Sequence, residues 1–220
     1  MSTDRIDRII VIGGGGHTKM MIEILLATDW EVTGYTDADG RPGDAFGGIA
    51  WLGDDGALPA IRDQGVEHAI VALGDNALRG RLAERAAALG FTLGNAIHPS
   101  AQISPSVALG RGIAVMAQAA VNAATVLGDN CIVNTGATMD HDNRIGKNVH
   151  IAPGCHLAGY VTVGDGALVG VGSVVGRGRP LAIGAGAVVG AGSVVFNDVP
   201  PQAMVAGNPA RPLRRAGREG

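Results

Sequence analysis

The sequence predicts two structural units, a small α/β domain followed by a three-sided parallel β-solenoid. The first observation is that an aliphatic residue occupies every sixth position from Ile97 to Val175 without interruption. The second is that the preceding segment alternates short aliphatic runs with stretches of helical spacing. The third is a composition with 36 glycines and few aromatic residues, which suits a thin core bounded by many turns.

The amino-terminal segment has the pattern of a βαβ unit. A continuous aliphatic run, typical of a buried parallel strand, leads into four consecutive glycines, a helical pattern and a second strand. A further strand and helix follow, and they predict a Rossmann-like half domain over residues 1–95. The expected elements are strands over 8–12, 32–36 and 69–73 and helices over 17–27 and 77–89.

The six-residue period predicts a left-handed parallel β-helix over residues 96–200. A repeat this short fits a coil with three flat faces, so that three hexapeptides form one turn and the aliphatic residues stack inside. Small residues recur four positions after each aliphatic residue, where the backbone turns a corner. Cys131 and Cys155 belong to this set, so we expect them to be buried packing residues rather than a disulfide or a nucleophile.

The repeat is interrupted near its end. After Val175 the next aliphatic positions are Ile183, Val189 and Val195, so two extra residues within 177–182 predict a protruding loop. Because prolines remove ladder donors, we expect the coils to stop near residue 200. Residues 201–220 are then a carboxy-terminal tail, frayed from Arg214 onward.

Composition and the chain termini limit the class of protein. A net charge of −3 gives no electrostatic footprint for nucleic acid or for an anionic membrane. No apolar run approaches the ~18 residues of a membrane span, and the first residues contain no apolar segment or cleavage site of a secretory leader. We therefore expect a protein of the reducing cytoplasm without membrane insertion.

The glycine-rich turn is a candidate phosphate site. It joins a strand to a helix start, where free amides and the positive helix end favour an anion, and His17 follows it directly. Thr18 replaces the third glycine of the dinucleotide fingerprint, which weakens an NAD interpretation. Asp37 ends the second strand, where a ribose-binding acid falls in such folds. Together these residues indicate a nucleotide or a nucleotide-linked group, although a plain tight turn is the alternative.

A polar hexapeptide within the repeat is the candidate catalytic segment. Asp140, His141 and Asp142 are consecutive, and residues one turn before and after His141 are the small Ala123 and Gly159. A histidine beside an acid is a usual general base, and the Gly159 amide could face a developing oxyanion. The spacing leaves open which acid orients the imidazole, because pairing with Asp142 needs a corner or kink. A purely structural polar corner is the alternative.

Several motifs together resemble the sugar O/N-acetyltransferases of the NeuD and PglD type. That resemblance covers nearly the whole chain and implies an acetyl-CoA-dependent, metal-free enzyme. It implies N-acetylation of the 4-amino group of a nucleotide-linked sugar, GDP-perosamine-like, in bacterial polysaccharide synthesis. The motifs are Val11-Ile-Gly-Gly-Gly-Gly-His17, Tyr35-Thr-Asp37, Val133-Asn-Thr-Gly136, Asp140-His-Asp142, Val149-His-Ile-Ala-Pro-Gly154 and Val205-Ala-Gly-Asn-Pro-Ala210.

The resemblance also implies a role for individual residues. His141 would be the base and Asp142 the acid that orients it. The residues near the thioester and along the coenzyme A arm would be His150, Gly159, Val171 and Ala191. The residues that hold the nucleotide-sugar would be Gly15, Gly16, His17, Asp37 and Ala38.

Two positions depart from the pattern of such proteins. Asn143 stands where a cysteine is common, a difference that we expect to concern packing only, and Ala38 stands where many relatives carry a second acid. The second departure bears on recognition of the base or the ribose.

The resemblance and the exposed flat faces of a short prism both favour a homotrimer with active sites between subunits. Three other functions compete with N-acetyl transfer. They are O-acetylation of a sugar such as sialic acid, a zinc hydratase built on His141, His150 and His156, and a non-enzymatic nucleotide-sensing scaffold.

Overall fold

The computed structural model describes residues 7–213 and contains the two expected units. The amino-terminal unit is a four-stranded parallel sheet flanked by helices. Across the sheet the strands lie in the order Glu31–Thr36, Arg8–Ile12, His68–Val71 and Thr92–Leu93. Its elements are β1 (Arg8–Ile12), α1 (Gly16–Leu26), β2 (Glu31–Thr36), β3 (Ala45–Phe46), β4 (Ile49–Ala50), a 3₁₀ turn (Asp55–Ala57), α2 (Leu58–Asp63), β5 (His68–Val71), α3 (Asn76–Ala88) and β6 (Thr92–Leu93). The sequence pattern did not predict the β3–β4 hairpin, α2 or β6, because segments this short carry no clear period.

The second unit is a parallel β-solenoid with three faces, which confirms the predicted fold class. Face 1 consists of Ala96–Ile97, Ala114–Val115, Ile132–Val133, His150–Ile151, Leu168–Val169, Val188–Val189 and Met204–Ala206. Face 2 consists of Gln102–Ile103, Ala120–Val121, Thr138–Met139, His156–Leu157, Val174–Val175 and Val194–Val195. Face 3 consists of Ala108–Leu109, Val126–Leu127, Arg144–Ile145, Val161–Val163 and Leu181–Ile183. The antiparallel strand Arg211–Pro212 closes face 1.

The predicted aliphatic ladder forms the solenoid core. From Val115 to Val195 every residue of the series is buried, while Leu109 at the open first coil is 37% exposed. Burial of one such side chain contributes about 1.5–3 kcal/mol, so the stacked ladder supplies most of the apolar stabilisation. Cys131 and Cys155 are buried and unpaired, as the sequence predicted. Burial raises the pKa of Cys131 to about 12 and also raises the pKa of Cys155.

Corners of the solenoid repeat a backbone conformation as strictly as the core repeats a side chain. Every sixth residue from Gly112 to Gly178 has a φ between 56° and 69°. The glycines that directly follow the aliphatic residues have another role. A Cβ at Gly128, for example, would lie 2.7 Å from the Gly146 carbonyl carbon of the next coil. These positions therefore require glycine because the backbones of adjacent coils approach closely, and not because the φ angle is positive.

The end of the repeat differs from the prediction in two ways. The inserted residues form a loop over 176–180 that is shorter than expected, because Leu181 already starts a strand paired with Val161. The expectation that the coils stop near residue 200 is wrong. Met204–Ala206 pairs in parallel with Val188–Val189. Pro200, Pro201 and Pro209 lie outside that strand, so they remove none of its donors. The frayed tail predicted from Arg214 lies outside the described residues.

Candidate active site

His141 and Asp142 form a hydrogen-bonded pair at the corner that joins face 2 to face 3. The His141 Nδ1 and Asp142 Oδ2 atoms are 2.8 Å apart. Asp142 has a φ of 58°, and this left-handed conformation brings its side chain beside that of the preceding residue. The geometry therefore selects Asp142 as the partner of the imidazole. Asp140 instead accepts the His141 backbone N–H at 2.9 Å.

Buried polar side chains fix the turn that carries this pair. The Asp140 carbonyl oxygen accepts from Thr125 Oγ1 at 3.1 Å and from Asn143 Nδ2 at 2.7 Å. Asn143 Oδ1 accepts the Val161 N–H of the following coil at 2.8 Å. Asn143 is fully buried, so its amide spans two coils without competition from water. The expectation that Asn143 concerns packing alone is wrong, because its hydrogen bonds hold the turn that carries His141 and Asp142.

The next coil supplies the surface under the His141 ring. A Cβ at Gly159 would lie 2.8 Å from Cε1 and 2.9 Å from Nε2 of His141, so the ring rests directly on the glycine backbone. Among residues 7–213 no acceptor lies within hydrogen-bond distance of the Gly159 N–H. The Tyr160 ring meets the imidazole edge to face, with centroids 5.1 Å apart. The imidazole keeps 45% of its side-chain surface exposed, which leaves room for a reacting group.

A second candidate region lies between the amino-terminal unit and face 1. It is a cavity of about 890 Å³ with a mainly apolar lining, and we call it the interdomain cavity. Lining residues include Gly16, His17, Asn134, His150, Val171 and Ala191. Within the described residues the backbone N–H groups of Val171 and Ala191 have no acceptor, so both are available to a ligand.

His150 is held as a neutral imidazole in this cavity. Asn134 Oδ1 accepts the Thr135 N–H at 2.8 Å, which directs its Nδ2 to donate to His150 Nε2 at 3.1 Å. The other ring nitrogen hydrogen-bonds the Gly74 backbone. Burial, followed by repulsion from Arg79 and His17, lowers the pKa of His150 to about 4. The ring is therefore uncharged at neutral pH.

His17 reaches the same cavity from the start of α1. Its ring packs edge to face on His150 with centroids 5.5 Å apart, and its buried Nδ1 atom has no hydrogen-bond partner among residues 7–213. Burial and Arg79 lower the pKa of His17. A buried polar atom that faces a cavity and lacks a partner is a site for a ligand hydrogen bond.

Arg79 joins the two units beneath these histidines. Its guanidinium is 1% exposed and donates to the Leu73 carbonyl at 3.0 Å in one unit and to the Asn148 carbonyl at 2.9 Å in the other. Burial lowers the pKa of Arg79 to about 10, so the side chain stays charged at neutral pH. The interdomain cavity is thus built on a rigid junction with a fixed positive charge.

The glycine-rich turn and Asp37 lie together at the carboxyl edge of the sheet. A Cβ at Gly14 would overlap the Asp37 carboxylate, so the acid lies directly on the turn. Gly15 caps α1 without a side chain, which leaves the first helical amides accessible. Ala38 is exposed beside Asp37. This group of residues can present amides to a phosphate and an acceptor to a ribose hydroxyl.

A further cavity of about 550 Å³ lies on face 2 beside the turn that carries His141 and Asp142. Its lining includes Asp140, His156 and Arg177, the last from the inserted loop. The inserted loop lies at the same corner of the solenoid as His141, because residues 176–180 connect face 2 to face 3 two coils further along the chain. Within residues 7–213 no three His, Cys, Asp or Glu side chains converge as a metal site. His150 and His156 lie on different faces, as their spacing predicted.

Comparison with known proteins agrees with this architecture over almost the whole chain. The PglD N-terminal domain matches residues 8–86, and the bacterial transferase hexapeptide (six repeats) matches residues 144–177. Perosamine N-acetyltransferase from Caulobacter crescentus, solved as a His-to-Asn variant with CoA and GDP-perosamine, is 48% identical with a TM-score of 0.91. The match covers 96% of this chain and 98% of that chain. The chain belongs to the PglD-type acetyltransferase family.

Other members extend the comparison. The acetyltransferase domain of PglB from Neisseria gonorrhoeae, solved with acetyl coenzyme A, is 39% identical with a TM-score of 0.87 and covers 95% of this chain and 100% of that one. WeeI from Acinetobacter baumannii is 26% identical with a TM-score of 0.80, over 94% and 100%. An uncharacterised protein of Acanthamoeba polyphaga mimivirus is 31% identical over 125 residues, 57% of this chain but only 24% of the viral protein. As a member of this family the chain is an acyltransferase.

Within one chain the predicted site residues of this acetyltransferase fall into separate regions. His141, Asp142 and Gly159 share the corner between faces 2 and 3. The interdomain cavity on face 1 brings together Gly16, His17, His150, Val171 and Ala191. Gly15, Asp37 and Ala38 lie at the adjoining turn rather than in the cavity lining. Within one chain, face 2 separates the His141 corner from the interdomain cavity, whose lining extends from face 1 to the corner between faces 1 and 2 at Val171 and Ala191.

Several residues of the site were not identified from the sequence. Asn134 orients His150, Thr125 and Asn143 hold the turn, and Arg79 fixes the junction. No sequence pattern distinguishes Arg79, because the same helix contains several other charged residues. Asn134 and Thr125 occupy regular positions of the repeat, so only the coil stacking identifies their partners.

Proposed function

We propose that the protein transfers an acetyl group from acetyl-CoA to the 4-amino group of a nucleotide-linked amino sugar of the GDP-perosamine type. The observation that carries the proposal is the His141–Asp142 pair, 2.8 Å apart and half exposed, on a fold shared over 96% of the chain with perosamine N-acetyltransferase. We further propose a role in bacterial polysaccharide synthesis in the cytoplasm, where acetyl-CoA is available. Among residues 7–213 no helix is long and apolar enough to cross a bilayer.

In this proposal His141 is the general base. Its Nδ1 faces Asp142, so its other ring nitrogen, Nε2, takes the proton from the acceptor amine as nitrogen attacks the thioester carbonyl. The Gly159 N–H, which has no acceptor among the described residues, stabilises the oxyanion of the tetrahedral intermediate. Collapse of that intermediate breaks the carbon–sulfur bond, and the proton held by His141 is available to the departing thiolate. Asp142 stabilises the imidazolium that exists between these steps.

The nucleotide-sugar and coenzyme A are assigned to the surfaces with matching chemistry. Gly15, Gly16 and His17 hold the diphosphate, and Asp37 with Ala38 borders the ribose. Val171 and Ala191 offer free amides to the amide-containing arm of coenzyme A in the interdomain cavity. His150 stays neutral beside the thioester, where a positive charge would be costly to bury.

We propose that the active enzyme is a homotrimer in which the site forms between subunits. The support is topological, because face 2 of the solenoid separates His141 from the interdomain cavity within one chain. A neighbouring copy whose His141 corner faces the cavity would join them. Mixing a His141→Ala variant with an Asp37→Ala variant tests this arrangement, since hybrid trimers regain activity only if base and nucleotide site come from different chains.

The central experiment compares His141→Ala with the parent, using acetyl-CoA and GDP-perosamine while free thiol release is followed. Because general-base assistance contributes about 10²–10⁴-fold, kcat should fall by that range with KM nearly unchanged. Asp37→Ala is the matched binding variant and should raise KM for the nucleotide-sugar but not for acetyl-CoA. If His141→Ala keeps kcat within about threefold of the parent, another group is the base. A parent that acetylates no nucleotide-linked amino sugar would contradict the function as a whole.

A further inference from the structure

Tyr160 is the exception in the row of left-handed corner residues. Most positions of that row carry glycine or a polar amide or acid, types that tolerate positive φ with little strain. Tyr160 has a φ of 62°, which is unfavourable for a bulky side chain, and it is the single aromatic residue of the row. Glycine would satisfy the same corner with less strain, so the turn itself does not require tyrosine.

Packing within the chain does not explain the tyrosine either. Its side chain is 51% exposed, and its ring is absent from the solenoid core, whose ladder is aliphatic. The only ring contact that the structure gives it within residues 7–213 is the edge-to-face contact with His141, 5.1 Å between centroids at 87°. The Tyr160 backbone N–H donates to the His141 carbonyl at 3.2 Å, but any residue other than proline would make that bond.

The exposed part of the ring borders the space that an acceptor must enter. An amine that gives its proton to His141 has to approach the imidazole to about 3 Å. The sugar carbons bonded to that amine then lie within contact distance of a ring whose centroid is 5.1 Å from the imidazole. An aromatic face packs well against the apolar C–H surface of a pyranose and also attracts an adjacent ammonium group.

We propose that Tyr160 is a specificity residue that contacts the pyranose ring of the amino-sugar acceptor beside His141, an inference that rests on the proposed function. The local strain of the left-handed backbone is retained because the ring is needed at this place. Strained backbone at a binding site is a recognised exchange of stability for function. The amino sugar rather than acetyl-CoA is the proposed partner of the ring, and separate KM values for the two substrates distinguish them.

The experiment uses the full chain with three variants. Tyr160→Gly removes the ring and relieves the strain, Tyr160→Phe keeps the ring, and Gln118→Gly relieves the same strain (φ 59°) at the corner between faces 1 and 2. Melting temperature and the two KM values are measured with GDP-perosamine and acetyl-CoA. We expect Tyr160→Gly to melt at or above the parent temperature, yet to show KM for the amino sugar raised about three- to tenfold. Tyr160→Phe should keep the parent KM values, and Gln118→Gly should keep all kinetic constants.

Each result bears on the proposal in one direction. A raised KM for the amino sugar alone, without loss of thermal stability in Tyr160→Gly, supports it. A lower melting temperature would show that the ring holds the corner, and a loss of kcat at constant KM would show that it only orients His141. Either result would contradict the proposed sugar contact. Kinetic constants of Tyr160→Gly equal to those of the parent would also contradict it. Failure of the parent to acetylate the amino sugar is a separate result, which overturns the proposed function and the contact together.

Discussion

His141 and His150 lie half a coil apart in the same solenoid, yet their surroundings differ. His141 is half exposed, and its Nδ1 atom lies 2.8 Å from the Asp142 carboxylate. His150 is 7% exposed and bonded to a neutral amide and the Gly74 backbone, and its pKa is lowered to about 4. The difference shows that a corner position leaves a histidine of this solenoid open to solvent and to a carboxylate partner, whereas a position on the face under the amino-terminal unit buries it. We propose His141 for proton transfer and His150 for uncharged contact with a ligand.

The largest effect on turnover is expected when a side chain is added at residue 159, against the His141 ring. In Gly159→Ala the added Cβ would meet the imidazole at 2.8–2.9 Å, so the ring must shift from its position above residue 159. Because misplacement of about 1 Å can cost about 10²-fold, we expect kcat to fall about hundredfold while acetyl-CoA KM changes little. Thermal melting of Gly159→Ala in parent and His141→Ala backgrounds provides the control. Gly159→Ala should lower the melting temperature of the parent but not that of the His141→Ala variant, which lacks the ring. Equal losses of melting temperature in both backgrounds would contradict the steric explanation.

Acid should reveal the neutral state of the buried His150 through a loss of stability. The unfolded chain protonates His150 near 6.5, whereas the folded chain resists protonation until about pH 4. Stability is therefore full above pH 6.5 and is lost as pH falls toward 4, by about 3 kcal/mol for this group. Replacement by Gln removes the titration, so urea unfolding at pH 7 and pH 5 should show a smaller acid loss in His150→Gln than in the parent. Equal losses would mean that other groups cause the acid sensitivity.

Removing the charge beside His141 should reduce turnover without disturbing the corner. Asn130 and Asn148 occupy the same left-handed conformation as Asp142, so Asp142→Asn fits the backbone. The amide can still accept from Nδ1 but stabilises the imidazolium less. We expect kcat to fall about tenfold, less than the 10²–10⁴-fold expected when the base itself is removed. Steady-state rates across pH measure it. A variant with parent kcat at every pH would show that Asp142 has no part in the proton transfer.

The smallest effect on kcat is expected when Asn143, which holds the turn of His141 and Asp142, is replaced. Asn143→Cys introduces a side chain that already fits the equivalent corners at Cys131 and Cys155, where the thiols donate to the Gly146 and Gly170 carbonyls. It frees the Asp140 carbonyl from one donor and the Val161 N–H from its acceptor, and we expect kcat to fall about three- to tenfold. Cys131→Ala is the matched control, because it removes one corner donor at a place without catalytic residues. An equal loss of kcat in both variants would contradict a specific role for Asn143.

Local pattern predicted the two units well and their details less completely. The six-residue ladder specified which side chains face inward, and the first strand, helix and second strand appeared within a residue or two of their expected bounds. Short elements escaped, among them α2 and β6, because six or two residues carry no period. Pro200 and Pro201 misled the boundary prediction, because their effect on a strand depends on whether they fall inside it. The candidate residues were found individually, but their grouping was not.

Sequence by itself determined the repeat, the fold class and the identity of the polar hexapeptide, because each depends on residues close along the chain. Only the tertiary structure decided that Asp142, with its left-handed backbone, orients His141, that Gly159 supports the ring, and that Asn143 bridges two coils. It also separated the His141 corner from the cavity of His17 and His150. These outcomes depend on φ values and on stacking between coils. Neither can be read from a linear pattern, since the decisive neighbours are a full turn apart.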